Sequence, residues 1–270
     1  MSFEFVSDWS GPDASPDIRI SDFFTPYMKL LELDNVSKVF GGVVAVNRVS
    51  FHLNQGEVLG LIGPNGAGKS TLFNIISGIF KPNTGTVRFN NKDITGMAPY
   101  KICESGIART FQLVKPFSRL TSLENVMVGR AYGSHPARDT REARVESEQI
   151  LAFTSLANKQ TRTAGMLSLV DRKRLEIARA LATKPKLLLL DEMMAGLNPA
   201  ELDDAIALVK AIRDSGISLI VVEHVMKVIM GISDRVIVLK TGEKIADGIP
   251  QEIVSNREVV KAYLGGDVSC

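Results

Sequence analysis

Residues 63–71 run Gly63, Pro64, Asn65, Gly66, Ala67, Gly68, Lys69, Ser70, Thr71. The spacing Gly63-x-x-x-x-Gly68-Lys69-Ser70 is that of a loop built to hold phosphate. Glycine lets backbone N–H groups converge on phosphate oxygens where a Cβ would intrude, and a helix N-terminus adds positive partial charge. Lys69 would reach the β- and γ-phosphates, and Ser70 would offer its hydroxyl to Mg²⁺. The flanks fit: an apolar run at 58–62 comes before the loop and a helix-like run at 71–76 follows it. Strand, glycine loop and helix in that order distinguish this segment from an accidental glycine turn.

A second group sits at 187–192, where four leucines lead into Asp191 and Glu192. Four consecutive leucines read as a buried parallel strand, and ligands bind beyond the C-terminal ends of such strands. Asp191 would hold Mg²⁺, directly or through water. Glu192 would polarise a water for attack on the γ-phosphate. The bland alternative, an ordinary strand exit, is disfavoured by the phosphate loop upstream. The run at 219–222 leads in the same way into Glu223 and His224. A histidine at the end of a core strand can reach a bound γ-phosphate and sense its loss. Gln112 follows the strand-like Arg109-Thr110-Phe111 and could touch metal or attacking water.

These groups are far apart in sequence and need a scaffold that brings them to one edge. Short apolar or alternating runs at 30–35, 44–54, 58–62 and 86–90, separated by Gly, Asn and Lys, read as strands. Residues 99–106 look helical. From about 119 to 164 strand signals are few and the composition is helical, most clearly at 140–153. A helix is expected at about 171–182. Another is expected near 199–215, with Pro199 at its start and Gly216 past its end. Runs at 186–190, 217–222 and 235–239 read as buried strands. Strands alternating with helices imply an α/β core with a largely parallel sheet.

The chain has 270 residues, 45 % hydrophobic and 23 % charged, enough for one large domain or a core with an inserted subdomain. A net charge of +2 gives no basic bias toward nucleic acid. Apolar runs such as 187–190 and 205–209 fall far short of the roughly 20 residues of a membrane span. No basic region followed by an apolar one opens the chain, so no secretory signal is expected. Cys103 and Cys270 read as two unpaired thiols of a reducing compartment. Residues 1–28 carry Glu4, Asp8, Asp13, Asp17 and Asp22 against Arg19 alone, a net of −4 (five acids minus one base). That segment reads as a flexible extension, and its Phe3, Phe5, Trp9, Phe23, Phe24 and Tyr27 leave room for docking.

In this order and spacing the four chemical segments resemble the nucleotide-binding subunit of ATP-binding cassette proteins, over about residues 30–266. The resemblance implies an α/β fold: a P-loop NTPase core with a mainly parallel sheet, an N-terminal antiparallel β subdomain and an inserted helical subdomain. Its boundaries would be an extension at 1–28, one ATPase domain at 29–266 and a tail at 267–270. Within the domain, 29–112 and 168–246 would form the core, 113–167 the helical subdomain and 247–266 the C-terminal helices. ATP and Mg²⁺ are the ligands implied. Carried over residue by residue, Lys69, Gln112, Glu192 and His224 match catalytic positions. Gly63 to Thr71 match the nucleotide loop, and Ser70, Gln112 and Asp191 the metal ligands. Phe40, before Gly41 and Gly42, falls where the family has an adenine-stacking aromatic, a contact of roughly 1–3 kcal/mol by analogy with base–aromatic stacking. Its alternative is a core residue.

The family's signature loop would lie at Leu167-Ser168-Leu169-Val170-Asp171, where Leu-Ser-Gly-Gly-Gln is usual. Ser168 is kept and would face the nucleotide held by a partner subunit. Ser168-x-x-Asp171 also resembles a capping box, which predicts a sound helix start. Val170 adds a branched side chain and Asp171 a negative charge near an anion, offset in part by Arg172, Lys173 and Arg174. Two readings stay open. Either this loop weakens one of two composite sites, or this branch of the family tolerates the variant because Ser168 and the helix N-terminus still offer donors.

The wording at 109–112, 195–199, 222–226 and 262–265 is similar to that of the ATP-binding subunit of branched-chain amino acid importers. Asn198 agrees with that branch, where the wider family commonly has aspartate. The resemblance implies an ATP hydrolase coupled to transport, peripheral to the cytoplasmic face of the inner or plasma membrane. Its partners would be two membrane permease subunits, a second, non-identical cassette ATPase and, indirectly, a periplasmic or extracellular solute-binding protein. The helical region after Gln112 would receive a short helix from the channel. No nucleic acid partner is implied. The alternatives are a urea or amide importer, a lipopolysaccharide exporter, a soluble cassette ATPase acting on nucleic acid or ribosomes, and a nucleotide-binding regulator that never turns over.

Overall fold

Three five-residue apolar strands make the centre of the molecule. β3 (Val58–Ile62), β7 (Leu187–Asp191) and β8 (Ser218–Val222) are buried at every position. A strand can be so only when both faces of its sheet are covered. Alternate side chains serve the two faces: Leu187 and Leu189 join one hydrophobic cluster, Leu188 and Leu190 another. With β6 (Ile107–Arg109) and β9 (Arg235–Lys240) these strands pair in parallel, and β10 (Glu243–Gly248) adds an antiparallel edge. The order is β10-β9-β3-β8-β7-β6. The structure is a computed structural model that describes residues 28–112 and 115–264. The extension expected at 1–28 (Met28 apart), the tail at 267–270 and Cys270 lie outside the described residues.

The register explains how distant segments meet. Leu61 and Asp191 both pair with Val222, so the ends of β3, β7 and β8 lie side by side. Arg109 pairs with Leu189 at the end of the neighbouring β6. The phosphate loop, Asp191–Glu192 and Glu223–His224 therefore leave the sheet along one edge.

A second, antiparallel sheet has the order β2-β1-β4-β5. Its strands are β1 (Lys29–Phe40), β2 (Val43–Asn54), β4 (Thr84–Phe89) and β5 (Lys92–Asp93). Leu31, Leu33, Phe51 and Phe89 of this sheet share a core with Leu72, Phe73 and Ile76 of α1 (Lys69–Ile76). α2 (Pro99–Glu104) leads into β6.

The helical layer consists of α3 (Ser122–Ala131), α4 (Thr140–Phe153) and α5 (Leu169–Ala182). Leu123, Val126, Leu151, Leu156, Leu175 and Ala178 pack between them. Each start is capped: Thr121 forms a full capping box, and Asp139 and Ser168 accept backbone N–H groups three residues on. α5 supplies much of this packing, so the helical layer reaches past residue 167 into the following helix.

α6 (Pro199–Asp214) follows β7, and Asn198 caps it in a box with Glu201. α7 (Met226–Ile232), α8 (Pro250–Ser255) and α9 (Arg257–Leu264) complete the chain. β10 and α7 are six and seven residues long, too short to show a clear period in the sequence. Among the described residues, no helix is long and apolar enough to cross a membrane.

Candidate active site

Two of the loop's glycines are fixed by backbone geometry. Gly63 has φ +156, and a Cβ there would lie 2.2 Å from the carbonyl oxygen of Leu239. Gly68 has φ +100, and a Cβ would lie 2.4 Å from that of Ala45. Gly68 is also the N-cap of α1, which has no side-chain cap, unlike α3 to α6. Its first-turn N–H groups therefore have no side-chain cap, and a helix start of this kind can hold an anion. Lys69 is buried, and its Nζ donates to the carbonyls of Gly63 at 2.6 Å and Pro64 at 3.0 Å. Burial pulls its pKa below the usual lysine range, against the opposing fields of Glu192 and Asp191. Ser70, Asn65 and Gly66 are exposed at the loop's surface.

Asp191 is 4 % exposed and its charge is matched by Arg109, whose Nη2 donates to Oδ2 at 2.9 Å. The other guanidinium arm donates to Asn74 Oδ1 at 2.5 Å and Ser77 Oγ at 3.1 Å. The same group lies 5.5 Å from the ring centroid of Phe73 and 5.3 Å from that of Phe111. The Asp191 N–H donates to Thr110 Oγ1 at 3.2 Å. Arg109 figured in the sequence only as a neighbour of Gln112. The signal available was the buried carboxylate itself, which requires a cation at the end of an adjoining strand.

Ser70, Gln112 and Asp191 offer hydroxyl, amide and carboxylate oxygens, the hard donors Mg²⁺ prefers. No group of three or more His, Cys, Asp or Glu capable of holding a metal occurs among the described residues. One carboxylate beside a phosphate cradle fits Mg²⁺, which takes few protein ligands and shares phosphate oxygens.

Glu192 takes a left-handed backbone, φ +48, and its N–H donates to the Val222 carbonyl at 3.0 Å. The Gln112 amide donates to Glu192 Oε2 at 2.6 Å, so the two residues meet although 80 positions separate them. His224 lies exposed just beyond β8, with no side-chain hydrogen bond among the described residues. Glu223 beside it is buried. Its Oε1 accepts the Met194 N–H at 2.8 Å, its Oε2 has no partner, and burial pushes its pKa up. Lys173 of α5 donates to the Ala195 carbonyl at 2.5 Å. Glu223 and Lys173 thus pin the segment after Glu192 from two sides, a role the sequence did not suggest.

Ser168 caps α5: its Oγ accepts the Asp171 N–H at 3.2 Å and donates to Asp171 Oδ2 at 2.8 Å. Burial pushes the Asp171 carboxyl up, but Lys159, 2.7 Å from both oxygens, and Ser168 bring it below the usual aspartate range. The offset expected from Arg172, Lys173 and Arg174 therefore comes chiefly from Lys159. Arg172 turns back to the Leu167 and Gly165 carbonyls, and Arg174 pairs with Asp204. Phe40 is 40 % exposed at the end of β1, which excludes the core alternative. Its ring meets Phe80 edge-on at 5.1 Å, with Lys38 Nζ 5.1 Å from its centroid.

The family profile described as ABC transporter matches residues 46–195, and that described as branched-chain amino acid ATP-binding cassette transporter matches 243–269. The high-affinity branched-chain amino acid transport ATP-binding protein BraF of Pseudomonas aeruginosa is 39 % identical over 87 % of this chain and 98 % of its own. The corresponding protein LivG of Escherichia coli is 37 % identical over the same shares. The crystal structure of the ADP conformation of the cassette MJ1267 superposes with a TM-score of 0.81 at 35 % identity, covering 88 % of this chain and all of that one. A dimeric, post-hydrolysis cassette MJ0796 bound to ADP and phosphate superposes at 0.74 with 28 % identity, covering 82 % and 98 %.

Proposed function

Because this chain belongs to the ATP-binding cassette transporter family, we propose that it hydrolyses ATP to drive import of branched-chain amino acids through separate membrane subunits. The observation that carries the chemistry is the meeting of Lys69, Asp191, Glu192 and Gln112 at one edge of the parallel sheet. The relatives named for branched-chain amino acid transport and the match at 243–269 support the solute.

The residues divide the work. The backbone of 63–71 and the Lys69 ammonium hold the β- and γ-phosphates, with Lys69 leaving its loop carbonyls to do so. Phe40 stacks on the adenine. Ser70, Asp191 and Gln112 would hold Mg²⁺, which would supply neutralisation of phosphate charge. Glu192 accepts a proton from the attacking water, and Gln112, already hydrogen-bonded to it, orients that carboxylate. His224 contacts the γ-phosphate from the adjoining strand end. Lys69, Glu192 and His224 would be completed by a second cassette subunit, a reading the dimeric cassette MJ0796 supports. The complex would sit on the cytoplasmic face of the membrane, bound to two permease subunits and served by a solute-binding protein.

A specific observation favours an asymmetric pair. Ser168 Oγ is already engaged twice by Asp171, and bulky Leu169 and Val170 open the helix. The site completed by this loop would be the weaker one, which points to a non-identical partner ATPase.

The test is to isolate the assembled complex and measure its ATPase activity against a panel of solutes. Leucine, isoleucine or valine should stimulate it. Stimulation by urea or an amide instead would move the chain to another transporter branch.

A further inference from the structure

Asp191 does not stand as a bare carboxylate at the end of β7. Arg109 Nη2 donates to its Oδ2 at 2.9 Å, and both side chains are buried. The guanidinium does not depend on Asp191 for its place. Its other arm is anchored on α1, to Asn74 Oδ1 at 2.5 Å and Ser77 Oγ at 3.1 Å. The Phe73 and Phe111 rings lie against it, with centroids 5.5 and 5.3 Å away. Phe111 is fixed in turn by Glu176 of α5, whose Oε1 accepts its N–H at 2.7 Å while Oε2 is buried with no partner. With α1 and Phe111 as its supports, Arg109 would stay beside Asp191 even if the carboxylate turned toward another cation.

The charges along this edge have a consequence for metal binding. Lys69 and Arg109 are cations, Asp191 and Glu192 are anions, and their charges cancel. Lys173 and Glu223, the next pair behind Glu192, add no net negative charge. The start of α1 contributes the positive end of a helix. Mg²⁺ gives up its water reluctantly and needs anionic oxygen in return. A divalent cation arriving alone would find no net negative charge here, and a fixed guanidinium on the buried carboxylate. A triphosphate would bring the missing anions with it.

We propose that Arg109 guards Asp191, holding the carboxylate against a free divalent cation and yielding it only to a metal accompanied by phosphate. Arg109 is thus a positioning residue that acts on the metal through Asp191. The proposal rests on the reading of Asp191 as a metal ligand and of residues 63–71 as a phosphate loop. It adds the order of loading: metal and nucleotide enter together, and the chain holds no metal between nucleotides.

Equilibrium dialysis of the full-length chain against Mn²⁺ tests this without turnover. Wild type should retain Mn²⁺ beside a non-hydrolysable ATP analogue or inorganic tripolyphosphate, and release it beside adenosine or with no ligand. Arg109→Gln, whose amide can still donate to Asp191, should bind Mn²⁺ alone at least about 10-fold more tightly than wild type, the effect of one unit charge on a nearby divalent ion even at the dielectric of water. Asp191→Asn added to Arg109→Gln should abolish that gain. Arg109→Lys, which keeps the charge, should exclude the lone metal as wild type does. A damaged fold would lose metal rather than gain it, so the gain separates guarding from packing. Equal affinity of wild type and Arg109→Gln for Mn²⁺ alone overturns the guard and leaves the metal site standing. If Arg109→Gln does not fold, the wild-type arms decide: retention with tripolyphosphate and not with adenosine supports the guard, and retention whatever the added ligand overturns it. A wild-type chain that retains no Mn²⁺ even beside the ATP analogue removes the metal reading itself, and the guard with it.

Discussion

Arg109 and Asp191 form an ion pair at 2.9 Å with both side chains almost wholly buried, at the C-terminal ends of two adjacent strands. Pairing engages one carboxylate oxygen, Oδ2, with the guanidinium. Removing one partner of such a pair strands a charge in a poorly hydrated site and costs about 3–5 kcal/mol. Arg109→Met should lower stability by that order in denaturant titration. Arg109→Met combined with Asp191→Asn should cost less than the sum of the two single changes, because neither charge is then left alone. Strict additivity would show that the pair is not coupled.

Glu192→Gln should cut ATP hydrolysis by roughly 10²–10⁴ fold, the range for loss of a general base. ATP binding should persist if phosphate affinity rests on Lys69 and the loop. Steady-state turnover of the assembled complex near the wild-type rate would exclude Glu192 as the base.

Lys69→Ala should abolish nucleotide binding. The change deletes the ammonium that burial holds below the usual lysine range against the fields of Glu192 and Asp191. Titration with a fluorescent ATP analogue decides the matter; unaltered affinity contradicts the phosphate-loop assignment.

Glu176 governs stability with a definite sign. Its folded-state pKa of about 6 lies above the ordinary 4.5, so the folded chain holds that proton more tightly than the unfolded one. Ionisation then destabilises the fold as pH rises from about 4.5 through 6, by up to about 2 kcal/mol. Glu176→Gln should melt several degrees above wild type at pH 7.5, with the gap closing near pH 4.5. A gap independent of pH would assign the gain to packing instead of charge.

Glycines at Leu169 and Val170 should raise the ATPase rate of the assembled complex if the altered loop weakens one composite site. Each glycine costs about 1 kcal/mol of helix stability. The Ser168 cap and the Lys159–Asp171 pair hold the start of α5 in place meanwhile. An unchanged or lower rate would favour a branch that works with the loop as it stands.

Much of this architecture was legible from period and punctuation. The four leucines of β7 and the apolar runs of β3 and β8 announce two-sided burial. Pro199 with Asn198 marks a helix start, and the expected helix at 140–153 coincides with α4. Asp191 and Glu192 were legible as candidates because they end and follow such a strand, and Gln112 because it follows a strand-like segment. Arg109, Lys159, Lys173 and Glu223 were not. Each acts on a partner between 12 and 82 positions away, and a single sequence gives no register between strands or helices to reveal it. Glu176 was hidden for the same reason: on a helical wheel it is one more polar residue of α5, and only the fold shows that no water reaches its second oxygen.

The backbone of Glu192 stands in the left-handed region, where a residue with a Cβ carries roughly 1–2 kcal/mol of strain. Glycine would relieve it. A library of variants at this one position, sorted by heat resistance, should therefore enrich glycine and asparagine, whereas sorting the same library by turnover should return glutamate. The residue proposed as proton acceptor occupies a position that selection for durability alone would erase.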